Sequence, residues 1–459
     1  MPDQPHLSRA RSSIDAPAWP NRASRLFFVG ALLLSVAGLL GLSTRNFLIR
    51  FVSDPRHELS TPALTAAVAR FPGSALLNRL RAERHLREAG LRIERLEEAR
   101  VHAERAVRAA PWDYRSHLLA GTIQELMGDQ DVAVESLRVA VRRAPTLVEP
   151  NWALANLLLR QGDLRAALVP LQQAIEAHEW LFPAACDLLW RASQTETNPE
   201  TREKLLLGLT GGSPRQHLLL ATFLLDRGEV DLAIWSYRQI PLGERRQSTQ
   251  GAQWLARLIE RGEAPRARQL WGELRGAADP TNLPLVWNGG FEEPLDPVHS
   301  QFDWQFKSSE FVQVGIDPRV NADEGGGRHS LRLLLTGRDT TQLDGEVRQR
   351  LVLSPGARYR LSFLIQTRDL RTPGGPQVAI RWNGRALAAS EPLPDGTTGG
   401  WQSRFLDFQA PSESGVAEIV VVRTPKFSYD APSRGLIWLD DVRLTLLESG
   451  VAPPEGGQP

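Results

Sequence analysis

With a single cysteine, Cys186, in 459 residues, the chain can form neither an internal disulfide nor a cysteine-based zinc site. That residue sits in the apolar stretch 183–190, where a small buried side chain is expected rather than a reactive thiol. No lipobox-type cysteine stands directly after the first apolar run, so no lipid anchor is indicated. A dominant charge is lacking as well. Basic and acidic residues number 54 and 53, interspersed, for a net charge of +1, which excludes the basic stripe of a nucleic-acid binder. None of G-x-S-x-G, H-E-x-x-H or G-x-x-x-x-G-K-[ST] occurs, so the sequence offers no nucleophile elbow, zincin helix or P-loop. What is present is length: the chain is too long for one ordinary core, so two or more domains are expected.

One long apolar run exists. Residues 26–44, LFFVGALLLSVAGLLGLST, carry no charge, and at helical rise they match the bilayer hydrocarbon. Arg9, Arg11, Arg22 and Arg25 precede the run against Asp3 and Asp15. By the positive-inside tendency the N-terminus stays in the cytoplasm and the bulk lies on the periplasmic, extracytoplasmic side of the inner membrane. Arg45, Arg50 and Arg56 weaken that asymmetry. No A-x-A-like cleavage site ends the run, so an uncleaved single span is expected. Residues 1–25, rich in Pro, Ser, Asp and Arg, read as a disordered cytoplasmic tail, and residues 448–459 as a second tail.

Residues 45–280 show a fixed internal period. Pro111 and Pro145 are 34 apart, as are Gly128 and Gly162, Gly228 and Gly262, and Ala233 and Ala267; Ala99, Ala133 and Ala167 share the spacing, as do Ala106, Ala140 and Ala174. Each unit reads as two amphipathic helices. Gly128, Gly162, Gly228 and Gly262 end the first helix in a left-handed turn, the acid after each favours the next helix start, and small residues mark close helix approach. Residues 178–213 break register, and an irregular helix pair is expected there. The repeats resemble the tetratricopeptide repeat family over roughly residues 57–276. The resemblance implies a solenoid whose groove takes a protein partner; the alternative is a rigid spacer.

From about residue 284 to 447 the period changes to two. Alternating runs at 330–335, 346–353, 359–366, 377–382, 417–423 and 436–446, with turn signals such as Asn383-Gly384, predict an antiparallel sandwich. The alternation turns Tyr359, Leu361, Phe363, Ile365, Val378, Ile380 and Trp382 inward and Arg381 outward.

The opening Asn288-Gly-Gly-Phe-Glu292 and the closing Trp438-Leu-Asp-Asp-Val-Arg-Leu444 resemble the two ends of carbohydrate-binding modules of the family 4/9/22 type, a galactose-binding-like jelly roll. Residues 330–333, 353–359 and 401–405 fall between them in the expected order. The resemblance implies a structural calcium held by Glu292 with Asp440 or Asp441 and backbone carbonyls; otherwise these acids are solvated strand-end charges. Sugar recognition needs aromatic faces and planar polar groups. The candidates are Arg368, Arg381, Tyr429 and Trp304, the last two as exposed loop aromatics, and the arginines imply an anionic polysaccharide.

The expected fold is therefore multidomain α and β: one transmembrane helix, a tetratricopeptide-like solenoid and a C-terminal antiparallel β-sandwich. Adjacent Asp440 and Asp441 cannot flank one glycosidic bond, and no enzyme is expected. The leading reading is a membrane-anchored envelope scaffold that binds a protein and a glycan, in polysaccharide assembly or export. The alternatives are a spacer with a protein-contact sandwich and an accessory subunit of a glycoside-active enzyme.

Overall fold

The computed structural model describes residues 31–39, 43, 60–89, 93–195, 198–322, 327–413, 415–427 and 430–448. The expected tail at 1–25, residues 26–30, 40–42 and 44 of the apolar run, Tyr429 and residues 449–459 lie outside them. Within the run, residues 31–39 are helical, with Leu32, Leu33, Leu34 and Leu39 exposed. Among the described residues no helix is long and apolar enough to cross a membrane.

The chain divides into two compact units between Leu209 and Thr210. That division falls inside the helical region, whereas the change of sequence period near residue 284 does not separate the units.

The first unit is a run of helices: α1 (Thr61–Arg70), α2 (Ala75–Ala89), α3 (Ile93–Ala109), α4 (Tyr114–Met127), α5 (Gln130–Arg143), α6 (Val148–Arg160), α7 (Leu164–Ala177), α8 (Phe182–Ala192) and α9 (Pro199–Gly208). Hairpins α4–α5 and α6–α7 turn at Gly128 and Gly162, whose φ values of 89° and 80° place both in the left-handed region. The next amides close the turns, Asp129 N–H donating to Gln124 O at 2.9 Å and Asp163 N–H to Leu158 O at 3.0 Å. The alanines at 99, 106, 133, 140, 167 and 174 are all fully buried, so the 34-residue spacing marks helix contact as expected. The irregular segment holds α8 between two short 3-10 turns, Glu179–Leu181 and Ser193–Thr195, with α9 after the second, and Cys186 is buried in α8.

The second unit starts with α10 (Pro214–Asp226), α11 (Val230–Arg238), α12 (Leu242–Gln247), α13 (Thr249–Glu260) and α14 (Ala264–Arg275), with Gly228 and Gly262 again left-handed. Among the described residues ten strands follow: β1 (Gln305–Phe306), β2 (Val312–Asp317), β3 (Ser330–Thr336), β4 (Leu343–Leu351), β5 (Arg358–Arg371), β6 (Gln377–Trp382), β7 (Arg385–Ala389), β8 (Gln402–Gln409), β9 (Ala417–Arg423) and β10 (Arg434–Glu448). They form two five-stranded antiparallel sheets, ordered β1-β4-β9-β6-β7 and β2-β3-β10-β5-β8. Asn383 and Gly384, both at positive φ, make the β6–β7 hairpin. Tyr359, Leu361, Phe363, Ile365, Val378, Ile380 and Trp382 all enter the shared core, as the alternation predicted.

Helices and sandwich meet without a free linker inside this unit. Trp271 of α14 is fully buried; its Nε1–H donates to His299 O at 2.7 Å, and its ring meets Trp287 edge-on at 5.1 Å. His299 Nε2 lies 3.0 Å from Arg245 O, and Gln301 Nε2–H donates to Ala252 O at 2.8 Å. Arg275 pairs with Glu293 and Asp296 at 3.3 and 3.4 Å.

Candidate functional site

The strand register of the β1-β4-β9-β6-β7 sheet builds a site on the face away from the core. Along β9, Ile419 and Val421 point inward, so Glu418 and Val420 point outward. Arg350 and Arg381 lie opposite Glu418 on the flanking strands, and Arg348 and Ala379 lie opposite Val420. Gln305 on edge strand β1 lies opposite Arg348. The register breaks between Asp344 and Arg348, where Gly345 has φ 93°, and this bulge raises one rim. The result is a depression of about 470 Å³ lined by Gln305, Phe306, Lys307, Asp344, Gly345, Arg348, Arg381, Glu418 and Val420.

Its electrostatics are uneven. Arg381 reaches across the floor to pair with Asp344, and Arg350 lies 3.5 Å from Glu418. Arg348 Nε–H donates to Gln305 Oε1 at 2.8 Å, which fixes the plane of its guanidinium. Among the described residues neither Arg348 nor Lys307 has a carboxylate partner.

The four residues expected to bind ligand are not brought together. Arg381 lines the depression. Arg368 lies on β5 in the other sheet, its guanidinium 5.1 Å from the ring of Trp438, so it covers a buried indole. Trp304 is a correction: expected in the open, it is 1% exposed, lies against the tilted ring of Phe291 at 5.2 Å and donates from Nε1–H to Asn288 O at 3.0 Å. Its burial follows from the close crossing of 288–291 over the core, which period-two reasoning does not reach. Tyr429 lies outside the described residues. Sequence reasoning missed Arg348, Gln305 and Lys307; the outward alternation along 346–353 was the available signal for Arg348.

The three acids proposed for calcium stand at the corner where the sandwich opens and closes. Glu292 accepts from His329 N–H at 2.9 Å, from Arg328 N–H at 2.5 Å, and bonds His329 Nδ1 at 2.8 Å. Burial works to raise its pKa, but the bonds from His329 and the two amides outweigh it and hold the carboxyl below its usual range. Asp440 accepts from the amides of Ala322 and Asp441 at 3.0 and 2.7 Å. Burial, aided by nearby Asp441 and Glu292, pushes its carboxyl upward despite those amides. Asp441 turns away to Arg443 at 2.6 Å. Asp441 is paired to an arginine and Glu292 is engaged by amides, and among the described residues no group of three or more His, Cys, Asp or Glu side chains is placed to hold a metal ion.

In the helices, an exposed Trp235 stands over a depression of about 250 Å³ lined by Asp231, Ile234, Arg238, Arg266, Gln269 and Leu270, between α11 and α14. On the first helices of the earlier hairpins, Leu118 and Thr122 of α4 and Trp152 and Asn156 of α6 recur at the repeat period, each half-buried.

No family model and no curated protein matches the chain. Among solved structures it is similar to YrrB, a TPR protein with an unusual peptide-binding site, at 16% identity over 39% of this chain and 90% of that one, with a TM-score of 0.27. It is similar to a CBM4 structure at 18% identity over 35% of this chain and 99% of that one, with a TM-score of 0.26. The enzymatically active domain of bacteriophage CBA120 tailspike protein 4 is similar at 19% identity, with a TM-score of 0.25; the match covers 36% of this chain and 21% of that one. At such scores the description of the fold rests on the helices and strands themselves.

Proposed function

We propose that this is a non-enzymatic binding protein of the cell envelope, whose helical hairpins engage a protein and whose sandwich holds a glycan. The observation that carries it is the depression on the β1-β4-β9-β6-β7 sheet. Polar side chains rim a buried apolar floor, and the volume lies in the range of small-ligand sites. Trp235 with Arg238 and Arg266 supports a protein contact, because tryptophan and arginine dominate interface energetics. The uncharged run at 26–44, with arginines ahead of it, supports a single anchor with the N-terminus inside. An anchored sandwich that holds a glycan fits a role in assembling or exporting surface polysaccharide.

Affinity electrophoresis of the whole protein through gels containing a panel of polysaccharides tests the glycan part. Retardation by at least one polymer, lost in Arg348→Ala, is expected. The close joint between α14 and the sandwich favours a second reading, a rigid spacer, and migration unaffected by every polymer would select it.

A further inference from the structure

Granted that the sandwich holds a glycan, the lining of the same depression bears on which sugar it takes; the choice of sugar rests on the glycan-binding reading. Neutral sugars are held largely by aromatic faces against pyranose rings. Here the one aromatic lining residue, Phe306, pairs in register with core-facing Val347 and packs against the core, so it offers no open platform. The floor is Val420 with Ala379 beside it, too small to stack a ring.

The charged rim has a pattern. Two of its cations are already matched, Arg381 by Asp344 and Arg350 by Glu418. Glu346, at the bulge, accepts from Asp344 N–H at 2.7 Å and caps the backbone there. That leaves Arg348 and Lys307. Gln305 holds Arg348 through Nε alone, so the two terminal nitrogens of its guanidinium remain as a fork of fixed plane. Such a fork matches the two oxygens of a carboxylate, and its orientation before binding removes part of the ordering cost. Lys307, immediately after β1, adds a point charge on the same rim.

We propose that the depression selects an acidic saccharide, a uronate residue within a glycan chain, with Arg348 gripping the carboxylate and Lys307 reinforcing it. Asp344 and Glu418 stay paired to their arginines and accept from sugar hydroxyls.

The test is affinity electrophoresis of the full chain in polygalacturonate, dextran sulfate and neutral dextran. Polygalacturonate is expected to retard the protein and neutral dextran is not. Arg348→Ala should weaken that retardation by about 10-fold or more, the worth of hydrogen bonds to a charged group. Arg368→Ala, on the opposite sheet, should leave it unchanged. Lys307→Gln, on an exposed side chain, supplies a variant that keeps the fold and should weaken retardation by a smaller factor. Equal retardation by dextran, stronger retardation by dextran sulfate, or indifference to both Arg348→Ala and Lys307→Gln would overturn the uronate assignment while leaving glycan binding in place. No retardation by any polymer would remove the glycan reading itself.

Discussion

Arg423 enters the sandwich core from β9, 2% exposed, and its guanidinium donates to the carbonyls of Gly374 at 2.8 Å, Ala431 at 3.1 Å, Thr340 at 3.2 Å and Thr341. Strict alternation along 417–423 puts it on the face of Ile419 and Val421, but nothing in the sequence names those carbonyls, which come from three separate loops. Arg423→Met keeps the bulk and strands the carbonyls. It is expected to cost about 3 kcal/mol, read as a lower urea midpoint. His85 and His102 stack at 5.6 Å in the first hairpin; His85 Nδ1 faces Glu98 at 2.9 Å and His102 Nδ1 faces Asn78 at 3.0 Å. Burial is the first cause lowering both pKa values; Arg81 and Arg95 add to it at His85 against Glu98 and Glu88, and His85, Arg105 and Arg81 add to it at His102, which falls to about 4 against Glu98. A histidine with a depressed folded pKa stabilises above its unfolded value and loses that contribution as pH falls through the folded one. Thermal melts should therefore show stability falling between about pH 6.5 and pH 4, and His102→Gln should flatten that slope.

At the level of elements, the 34-residue period made the helices readable because glycine, alanine and proline are each tied to one backbone or packing requirement. Gly162→Ala puts a side chain at φ 80° and is expected to cost about 1 kcal/mol; Gly162→Asn should cost less, since asparagine tolerates that region. A second device went unread. Asn78, His117 and Asn151 each bond the carbonyl of the proline six residues earlier, Pro72, Pro111 and Pro145, at 2.8, 3.0 and 2.7 Å. These contacts tie each first helix to the loop before it. Asn151→Ala leaves the Pro145 and Leu147 carbonyls unpaired and is expected to lower the unfolding midpoint by an amount equivalent to about 1–2 kcal/mol. The strands read well where one face is core, as in 359–366. They read poorly at β1 and β2, which are short or half-exposed and show no clean alternation.

For the whole molecule, the change of period at residue 284 invited a boundary that packing does not respect. Trp271, Phe302 and His299 are buried together where α14 meets the segment ahead of β1, and burial keeps His299 below its usual pKa. A hydrophobic period reports each element's own face and is blind to a loop such as 285–304 that fills the gap between two architectures. Trp271→Ala is expected to cost about 3–5 kcal/mol. It should lower the helical signal at 222 nm and the near-ultraviolet signal of the sandwich at the same temperature, whereas two separated transitions would show that the joint is loose. The acidic glycan would sit on one face of that same unit, and hydrogen–deuterium exchange of the full chain with and without oligogalacturonate addresses this directly. Slower exchange confined to residues 305–309 and 343–348, beside Arg348, is the expected result. Protection that appears instead on strands 358–371 and 434–448, or no protection at saturating ligand, would contradict it.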